Sequence, residues 1–318
     1  MNAARPAAMP TDAWLEVALN GSWGRSRQPL VPVSPEEIIA EGIACAREGA
    51  AIVHYHGFDV AAGAPSDALD LHRRIIEGIR EQADVLVYPT TTSRKLRPGG
   101  SAELAEDRFA LARGLAAHGL LDCLVIDPGS HLMFDTRMRW SPYVYVNFDE
   151  DIGEALALCR QAGAVPSFAV YEPGYARVGE YRAHEVQAPL RPIHRAMFSD
   201  TLLYGLAPGE PAIAAYAALF EGLGTRWMMA GLDYDIRPWL KPALAAGADL
   251  RVGLEDAPHG CERGNAAQVK EAASAIAASG RTLGSARDVR SALRRPATLA
   301  HHPISASAST PTGALPAE

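Results

Sequence analysis

The feature that most constrains this chain is an alternation of short β-branched runs with longer helical patterns, repeated about eight times between residues 15 and 279. Such alternation predicts a parallel sheet covered by helices, because each parallel strand needs a crossover connection. Eight such units in 318 residues predict an α/β protein with a single (β/α)8 TIM barrel. We predict strands at residues 15–19, 51–56, 85–90, 123–127, 167–172, 201–205, 226–232 and 249–255.

The clearest helix start is the run from Ser34 to Glu37, which supplies an N-cap serine, a proline at the first helical position and an acid three residues after the cap. We expect this helix to end at Gly49. Two stretches, 128–142 and 173–198, are predicted as long loops around short pieces of secondary structure. Further helices are predicted near residues 67–82, 103–118, 151–161, 211–223, 238–246 and 265–278.

The domain boundaries follow from composition. We predict an N-terminal extension over residues 1–14, a catalytic barrel over 15–294 and a disordered tail over 295–318. The tail consists largely of Pro, Ala, Ser and Thr, with almost no charge and no helical or strand periodicity.

Charge and hydropathy exclude several classes of protein. With 30 Lys+Arg against 37 Asp+Glu, the net charge is −7, so no basic surface is available for general nucleic-acid binding. No segment approaches the roughly 20 apolar residues of a membrane span, and the N-terminus lacks the apolar run of a secretory signal. The four cysteines are far apart, which favours a reducing compartment. We therefore expect a cytoplasmic protein that binds neither nucleic acid nor membranes.

Two histidines on one predicted strand form the first candidate site. His54 and His56 lie two residues apart, so both side chains leave the same face of the strand and can reach one ion. They point into the barrel if Val53 and Tyr55 face the helices. The alternative is a pair of partly exposed, hydrogen-bonded histidines. Four others, His131, His184, His194 and His259, have no partner spacing and are predicted as ordinary surface residues.

A second cluster ends the last predicted strand, where Arg251 shares a face with Glu255, and Asp256 follows. An arginine inside a barrel must be paired, and these acids are the nearest candidates. The alternative is that the two carboxylates are solvated loop acids.

Together the two clusters supply two neutral nitrogens and one carboxylate oxygen, the ligand set of a catalytic zinc or similar divalent ion with one open position. His54, His56 and Glu255 would hold the metal. Asp256, left free, can remove an α-proton while the ion stabilises the enolate. Arg251 would steady the acids or receive a substrate carboxylate.

Four consecutive hydroxyl residues, 90–93, follow the third predicted strand. They could hold a carboxylate or carbonyl at the barrel mouth, although Thr and Ser are also common in turns and caps.

In combination and in this order, these motifs resemble the β-keto acid cleavage enzyme family, which includes the 3-keto-5-aminohexanoate cleavage enzyme. The resemblance covers roughly residues 15–293. Its specific segments are residues 19–21, 33–38, 54–56 and 251–256.

The resemblance implies a zinc-dependent TIM barrel that exchanges an acyl group between a β-keto acid and acetyl-CoA, giving acetoacetate and a new acyl-CoA. It also implies a homo-oligomer. By position it assigns His54, His56 and Glu255 to the metal, Asp256 to the general base, Arg251 to its support and Thr90 to substrate contact.

The chain departs from the family pattern around the expected pocket. Phe58 stands where relatives carry the arginine of H-x-H-x-R, and Thr92-Ser93 replaces a glycine pair. Residues 231–234 read Gly-Leu-Asp-Tyr instead of Gly-Ile-Gly-Arg, and Ser22 or Trp23 replaces an acid. Two alternatives therefore stay open: a metal-assisted lyase or hydrolase that acts on an oxo acid without CoA, and a barrel that binds metal and oxo acid without catalysis.

Overall fold

Eight parallel strands form a nearly closed barrel in the computed structural model, which describes residues 10–22, 24–92, 95–96 and 107–294. The predicted tail, most of the N-terminal extension, Trp23 and Ser93 lie outside the described residues. The barrel strands are β1 (Leu15–Ala18), β2 (Ile52–Tyr55), β3 (Leu86–Pro89), β4 (Cys123–Ile126), β5 (Val165–Val170), β6 (Ile193–Phe198), β7 (Met228–Gly231) and β8 (Asp249–Val252).

Helices follow the strands and cover the outside of the barrel. They are α1 (Pro35–Arg47), α2 (Leu69–Arg80), α3 (Ala110–Ala117), α4 (Asp149–Ala162), α5 (Pro173–Glu185), α6 (Glu210–Leu223), α7 (Leu240–Ala245), α8 (Asn265–Ala278) and α9 (Ala286–Leu293). In the described part of the chain, no helix combines the length and apolar character needed to cross a membrane.

The predicted start of α1 is confirmed. The Ser34 hydroxyl accepts a hydrogen bond from the Glu37 N–H at 3.2 Å, and the Glu37 carboxylate accepts one from the Ser34 N–H at 3.0 Å. This reciprocal capping satisfies two donors that would otherwise be unpaired at the helix N-terminus.

The strand register brings the predicted site residues onto neighbouring strands. The order around the sheet is β3-β2-β1-β8-β7-β6-β5-β4. His54 pairs with Ala18 on β1 and with Tyr88 on β3, while Arg251 pairs with Glu16 on β1. The histidines and the acids of the last strand are therefore separated by one strand only.

Side-chain direction along β2 agrees with the prediction. Val53 and Tyr55 pack in the layer between strands and helices. Ile52 instead joins Leu86 and Tyr88 in the cluster inside the barrel. Because side chains alternate along a strand, His54 and His56 also point inward.

The prediction of the sixth strand was wrong. Residues 201–205 form no barrel strand, and the segment predicted as a loop over 173–198 contains α5 and β6. The sequence of β6 breaks the apolar pattern with His194 and Arg195, yet both side chains are buried. His194 faces Glu180 of α5 at 3.2 Å, so tertiary contacts outweigh the polarity of the strand. The other seven predicted strands overlap observed ones.

The stretch predicted as a loop over 128–142 also contains ordered structure. Residues His131–Met133 pair with Tyr143–Tyr145, which in turn pair with Lys95–Leu96, in an antiparallel three-stranded sheet. Two of its three strands follow β4 in the chain, and the sheet brings Tyr145 to the end of β4.

Candidate active site

Three side chains converge at the mouth of the barrel, as the sequence predicts. The His54 Nε2 atom lies 3.4 Å from Glu255 Oε2, and the His56 Nε2 atom lies 3.3 Å from Glu255 Oε1. The donor atoms of the three residues all lie within 4.8 Å of one another. His54 is 2% exposed, whereas His56 and Glu255 are 15% and 12% exposed, so the group opens to one side.

This donor set could hold a divalent metal ion. Ligands placed about 2.0–2.1 Å from a tetrahedral zinc lie about 3.3 Å apart, close to the two distances between the imidazole nitrogens and the Glu255 oxygens. Burial lowers the pKa of His54 to about 4, so its imidazole is neutral and has a lone pair available for a metal. Against the effect of burial, His54, His56 and Arg251 hold the pKa of Glu255 well below its usual range.

Arg251 organises the acids beside this group. Its Nε and Nη2 atoms donate to the two oxygens of Asp256 at 2.8 and 2.9 Å. Its Nη1 atom donates to Glu16 at 2.9 Å, and Nη2 lies 3.1 Å from Glu255. The guanidinium is 1% exposed, so each carboxylate it contacts helps to compensate a buried charge.

Asp256 is held in place by this arginine fork and is not among the three converging metal-ligand candidates. Burial raises the pKa of Asp256 to about 6, while Arg251 opposes that rise. A carboxylate of this kind, fixed beside a metal that polarises a carbonyl, can accept a proton from the neighbouring carbon.

A tight turn after β8 brings both acids inward. The strand ends at Val252, earlier than predicted, and Gly253 has φ +137°. A Cβ atom at Gly253 would lie 2.1 Å from the carbonyl oxygen of Ala18. The same carbonyl accepts a hydrogen bond from the Glu255 N–H at 3.2 Å. Only glycine allows this close approach.

Asn20 fixes the position of His56 through the backbone. The side chain of Asn20 accepts a hydrogen bond from the His56 N–H at 2.8 Å and donates to the His56 carbonyl at 3.0 Å. It thereby joins the end of β1 to the end of β2 directly below the candidate metal ligand.

Sequence reasoning missed Glu16 and Tyr88. The Tyr88 hydroxyl donates to Glu16 at 2.6 Å, and the Tyr88 ring lies 4.7 Å from the ring of His54. A signal was present, because Glu16 is the single acid in the apolar run of the first strand, and a buried acid needs a partner.

Of the threonines that follow β3, Thr91 and Thr92 hydrogen-bond through their hydroxyls to other parts of the protein, whereas the Thr90 hydroxyl has no such partner in the described part of the chain. The Thr91 hydroxyl donates to the Val125 carbonyl at 3.0 Å, and the Thr92 hydroxyl donates to Asp67 at 2.5 Å. Thr90 is half-buried and follows Leu86 and Tyr88 on the inward face. Its hydroxyl makes no hydrogen bond within the described ranges, so it is available to a ligand.

The prediction that the isolated histidines are surface residues was wrong for two of them. His131 is 7% exposed and stacks on Tyr171 with ring centroids 4.6 Å apart, and His194 is fully buried. His259 is half-buried, and only His184 of the four is exposed.

Comparison with known proteins identifies the family. The model of the β-keto acid cleavage enzyme family matches residues 12–294. The chain belongs to this family. It is therefore an enzyme, and the resemblance drawn from its motifs is confirmed.

Members of the β-keto acid cleavage enzyme family with assigned activities are distant relatives. The 3-dehydrocarnitine:acetyl-CoA trimethylamine transferase of Rhizobium meliloti is 25% identical over 91% of this chain and 98% of its own length. The 3-keto-5-aminohexanoate cleavage enzyme of Fusobacterium nucleatum is 24% identical over 73% of this chain and 77% of its own. The fold resembles that of ObcA in its binary complex with oxaloacetate, with a TM-score of 0.61 and 16% identity over 83% of this chain and 67% of that one.

Proposed function

We propose that this family member cleaves a β-keto acid with acetyl-CoA, producing acetoacetate and a new acyl-CoA. The observation that carries the proposal is the junction of two groups at the barrel mouth: three convergent metal-ligand candidates and, beside them, a carboxylate held by a buried arginine. The names of the relatives support acetyl-CoA as the co-substrate.

His54, His56 and Glu255 are the proposed ligands of a zinc ion. Two imidazoles and one carboxylate leave a coordination position open, as catalytic zinc sites do. When bound, the metal polarises the keto carbonyl and stabilises the enolate that forms from it.

Asp256 is the proposed general base. It takes a proton from C2 of the keto acid, and the resulting enolate carbon attacks the thioester carbonyl of acetyl-CoA. The displaced CoA thiolate then attacks the original keto carbon, and the bond between C2 and C3 breaks. The enolate of acetoacetate that is released takes the proton back from Asp256, and acetoacetate leaves. Arg251 positions Asp256 through its two hydrogen bonds, and Thr90 offers its hydroxyl to the substrate.

The remaining proposals concern the whole protein. The catalytic domain spans residues 15–294, with the short strand Asp12–Ala13 attached through its pairing with Thr282–Leu283. The enzyme works as a cytoplasmic homo-oligomer. Family membership supports these proposals.

The test is an assay of protein with measured metal content against a panel of β-keto acids, with and without acetyl-CoA, in which mass spectrometry detects acetoacetate. We expect about one zinc per chain and acetoacetate only when acetyl-CoA is present. Asp256→Asn should lose turnover, whereas Asp70→Asn, at an exposed acid of α2 that pairs with Arg73, is the matched control.

Two outcomes would contradict the proposal. Turnover of an oxo acid without any CoA ester would indicate a lyase or hydrolase. Tight binding of metal and oxo acid with no product under any condition would indicate a binding protein.

A further inference from the structure

Glu16 is a fully buried acid on β1 that the proposed chemistry does not use. Val17, the next residue, packs in the layer between strands and helices, so alternation along β1 directs the Glu16 side chain into the barrel. In the sheet Glu16 pairs with Arg251 on one side and with Ile52 on the other. Ile52 precedes His54 by two residues, so Glu16 lies one layer of side chains below the candidate metal ligands.

A single oxygen of Glu16 holds two hydrogen-bond donors. Its Oε1 atom accepts from Arg251 Nη1 at 2.9 Å and from the Tyr88 hydroxyl at 2.6 Å. The Oε2 atom accepts no hydrogen bond from the residues that the structure describes. The Tyr88 hydroxyl also lies 3.3 Å from the Ser167 hydroxyl. These contacts join β8, β1, β3 and β5 inside the barrel, so rigid strands fix the position of Oε1.

Every nitrogen of the Arg251 guanidinium contacts a carboxylate. The Nε and Nη2 atoms donate to Asp256, and Nη1 donates to Glu16. The arginine is 1% exposed, so it offers no nitrogen to a substrate carboxylate and acts on the neighbouring acids instead. Because the guanidinium is planar and rigid, a partner that fixes Nη1 also fixes the direction in which Nε and Nη2 point.

Two acids compete for the Nη2 atom of Arg251. It lies 2.9 Å from Asp256 Oδ1 and 3.1 Å from Glu255 Oε1. Without a partner for Nη1, the guanidinium would be free to turn toward Glu255, and Asp256 would lose one of its two hydrogen bonds. A displacement of about 1 Å at a reacting group can lower the rate about 100-fold.

We propose that Glu16 is a positioning residue for the reaction, which acts through Arg251 and is itself held by Tyr88. The inference rests on the proposed function, because it takes Asp256 to be the general base. Glu16 contacts the arginine and not the substrate, and its role is to keep the arginine fork directed at Asp256.

The first experiment separates positioning from substrate binding. Glu16→Leu is similar in size and removes the acceptor. We expect it to lower kcat for acetoacetate formation, per metal-loaded chain, by about 10- to 100-fold. KM should stay unchanged, because the contact of Asp256 with the C2 proton develops in the transition state. Glu16→Gln should recover most of the lost turnover, since its amide oxygen can accept both hydrogen bonds. Glu221→Leu, at an exposed residue of α6, is the control.

A double-mutant cycle tests whether Glu16 acts through Arg251. Arg251→Lys cannot form the two-nitrogen fork on Asp256, so adding Glu16→Leu to it should lower kcat by a much smaller factor than in the wild type. Equal factors in the two backgrounds would overturn the proposal. If Glu16→Leu does not fold, Tyr88→Phe replaces it, because it removes the hydroxyl donor and keeps the ring beside His54. A wild-type kcat in Tyr88→Phe would overturn the proposal as well.

Crystal structures of the variants separate failure of this inference from failure of the proposed function. In Glu16→Leu at least one of the two hydrogen bonds from Arg251 to Asp256 should be lost, and in Glu16→Gln both should remain. If the wild type yields no acetoacetate, the proposed function fails, whereas a broken fork in Glu16→Leu would still support positioning by Glu16. An unchanged fork in Glu16→Leu, or a loss of kcat that Glu16→Gln does not recover, would overturn it.

Discussion

Glu180 offers a test of how burial controls the stability of this barrel. Its carboxyl group lies between α5 and β6, with Oε1 3.2 Å from the Nε2 atom of His194. Burial raises the pKa of Glu180 to about 7 and lowers that of His194 to about 3. Both groups are therefore neutral in the folded protein at mildly acidic pH.

The sign of the effect follows from the raised pKa of Glu180. The folded state holds this proton more tightly than the unfolded state, so the stabilisation is fully present below pH 4.5 and is lost as pH rises toward 7. A rise from the usual 4.5 to about 7 corresponds to about 3 kcal/mol of unfolding free energy. Glu180→Gln cannot ionise and avoids this loss.

Urea unfolding followed by circular dichroism between pH 5 and pH 8 measures the difference. We expect Glu180→Gln to gain about 2.5 kcal/mol relative to the wild type between these limits, with most of the gain complete by pH 7. Glu221→Gln, at an exposed glutamate of α6, is the control and should follow the wild type. His194 ionises in the unfolded state below about pH 6.5 in all three proteins. If the wild-type and Glu180→Gln curves stay parallel across the range, the buried-carboxyl argument is refuted.

Three further predictions concern the candidate active site. Asp256→Asn should lower kcat by about 10²- to 10⁴-fold while elemental analysis still finds the metal, and normal turnover would contradict the base assignment. His54→Ala should lose both metal and turnover, and removal of the metal from the wild type by a chelator should abolish activity until zinc is restored. Gly253→Ala should destabilise the protein and weaken metal binding, because the added Cβ would lie 2.1 Å from the Ala18 carbonyl oxygen. An unchanged melting temperature would contradict this prediction and show that the turn can relax.

Much of the site could be predicted because its residues lie on strands with clear periodicity. Two histidines two residues apart must share a face, and an arginine on the inward face of the last strand must find acids. The partners of Arg251 could be predicted only in part. Glu255 and Asp256 are close in sequence, whereas Glu16 is 235 residues away and pairs with Arg251 only because β1 and β8 are adjacent.

The predictions from sequence were wrong where tertiary contacts bury polar side chains that local patterns place in loops or at the surface. His194 and Arg195 made β6 resemble a loop, although inside the fold His194 faces Glu180 and Arg195 donates to the Ser167 carbonyl. His131 resembled a surface histidine because nothing near it in sequence marks the tyrosine rings that enclose it.

The sequence alone determined the barrel, the position of its first helix cap and the inward direction of the candidate metal ligands, because these depend on periodicity and on neighbours within a few residues. The tertiary structure decided the fork of Arg251 and the hydrogen bond from Tyr145 to Asp127. It also decided the burial of His194. These features depend on which strands and loops meet in space, and such contacts join residues far apart in the chain, for which local patterns carry no information.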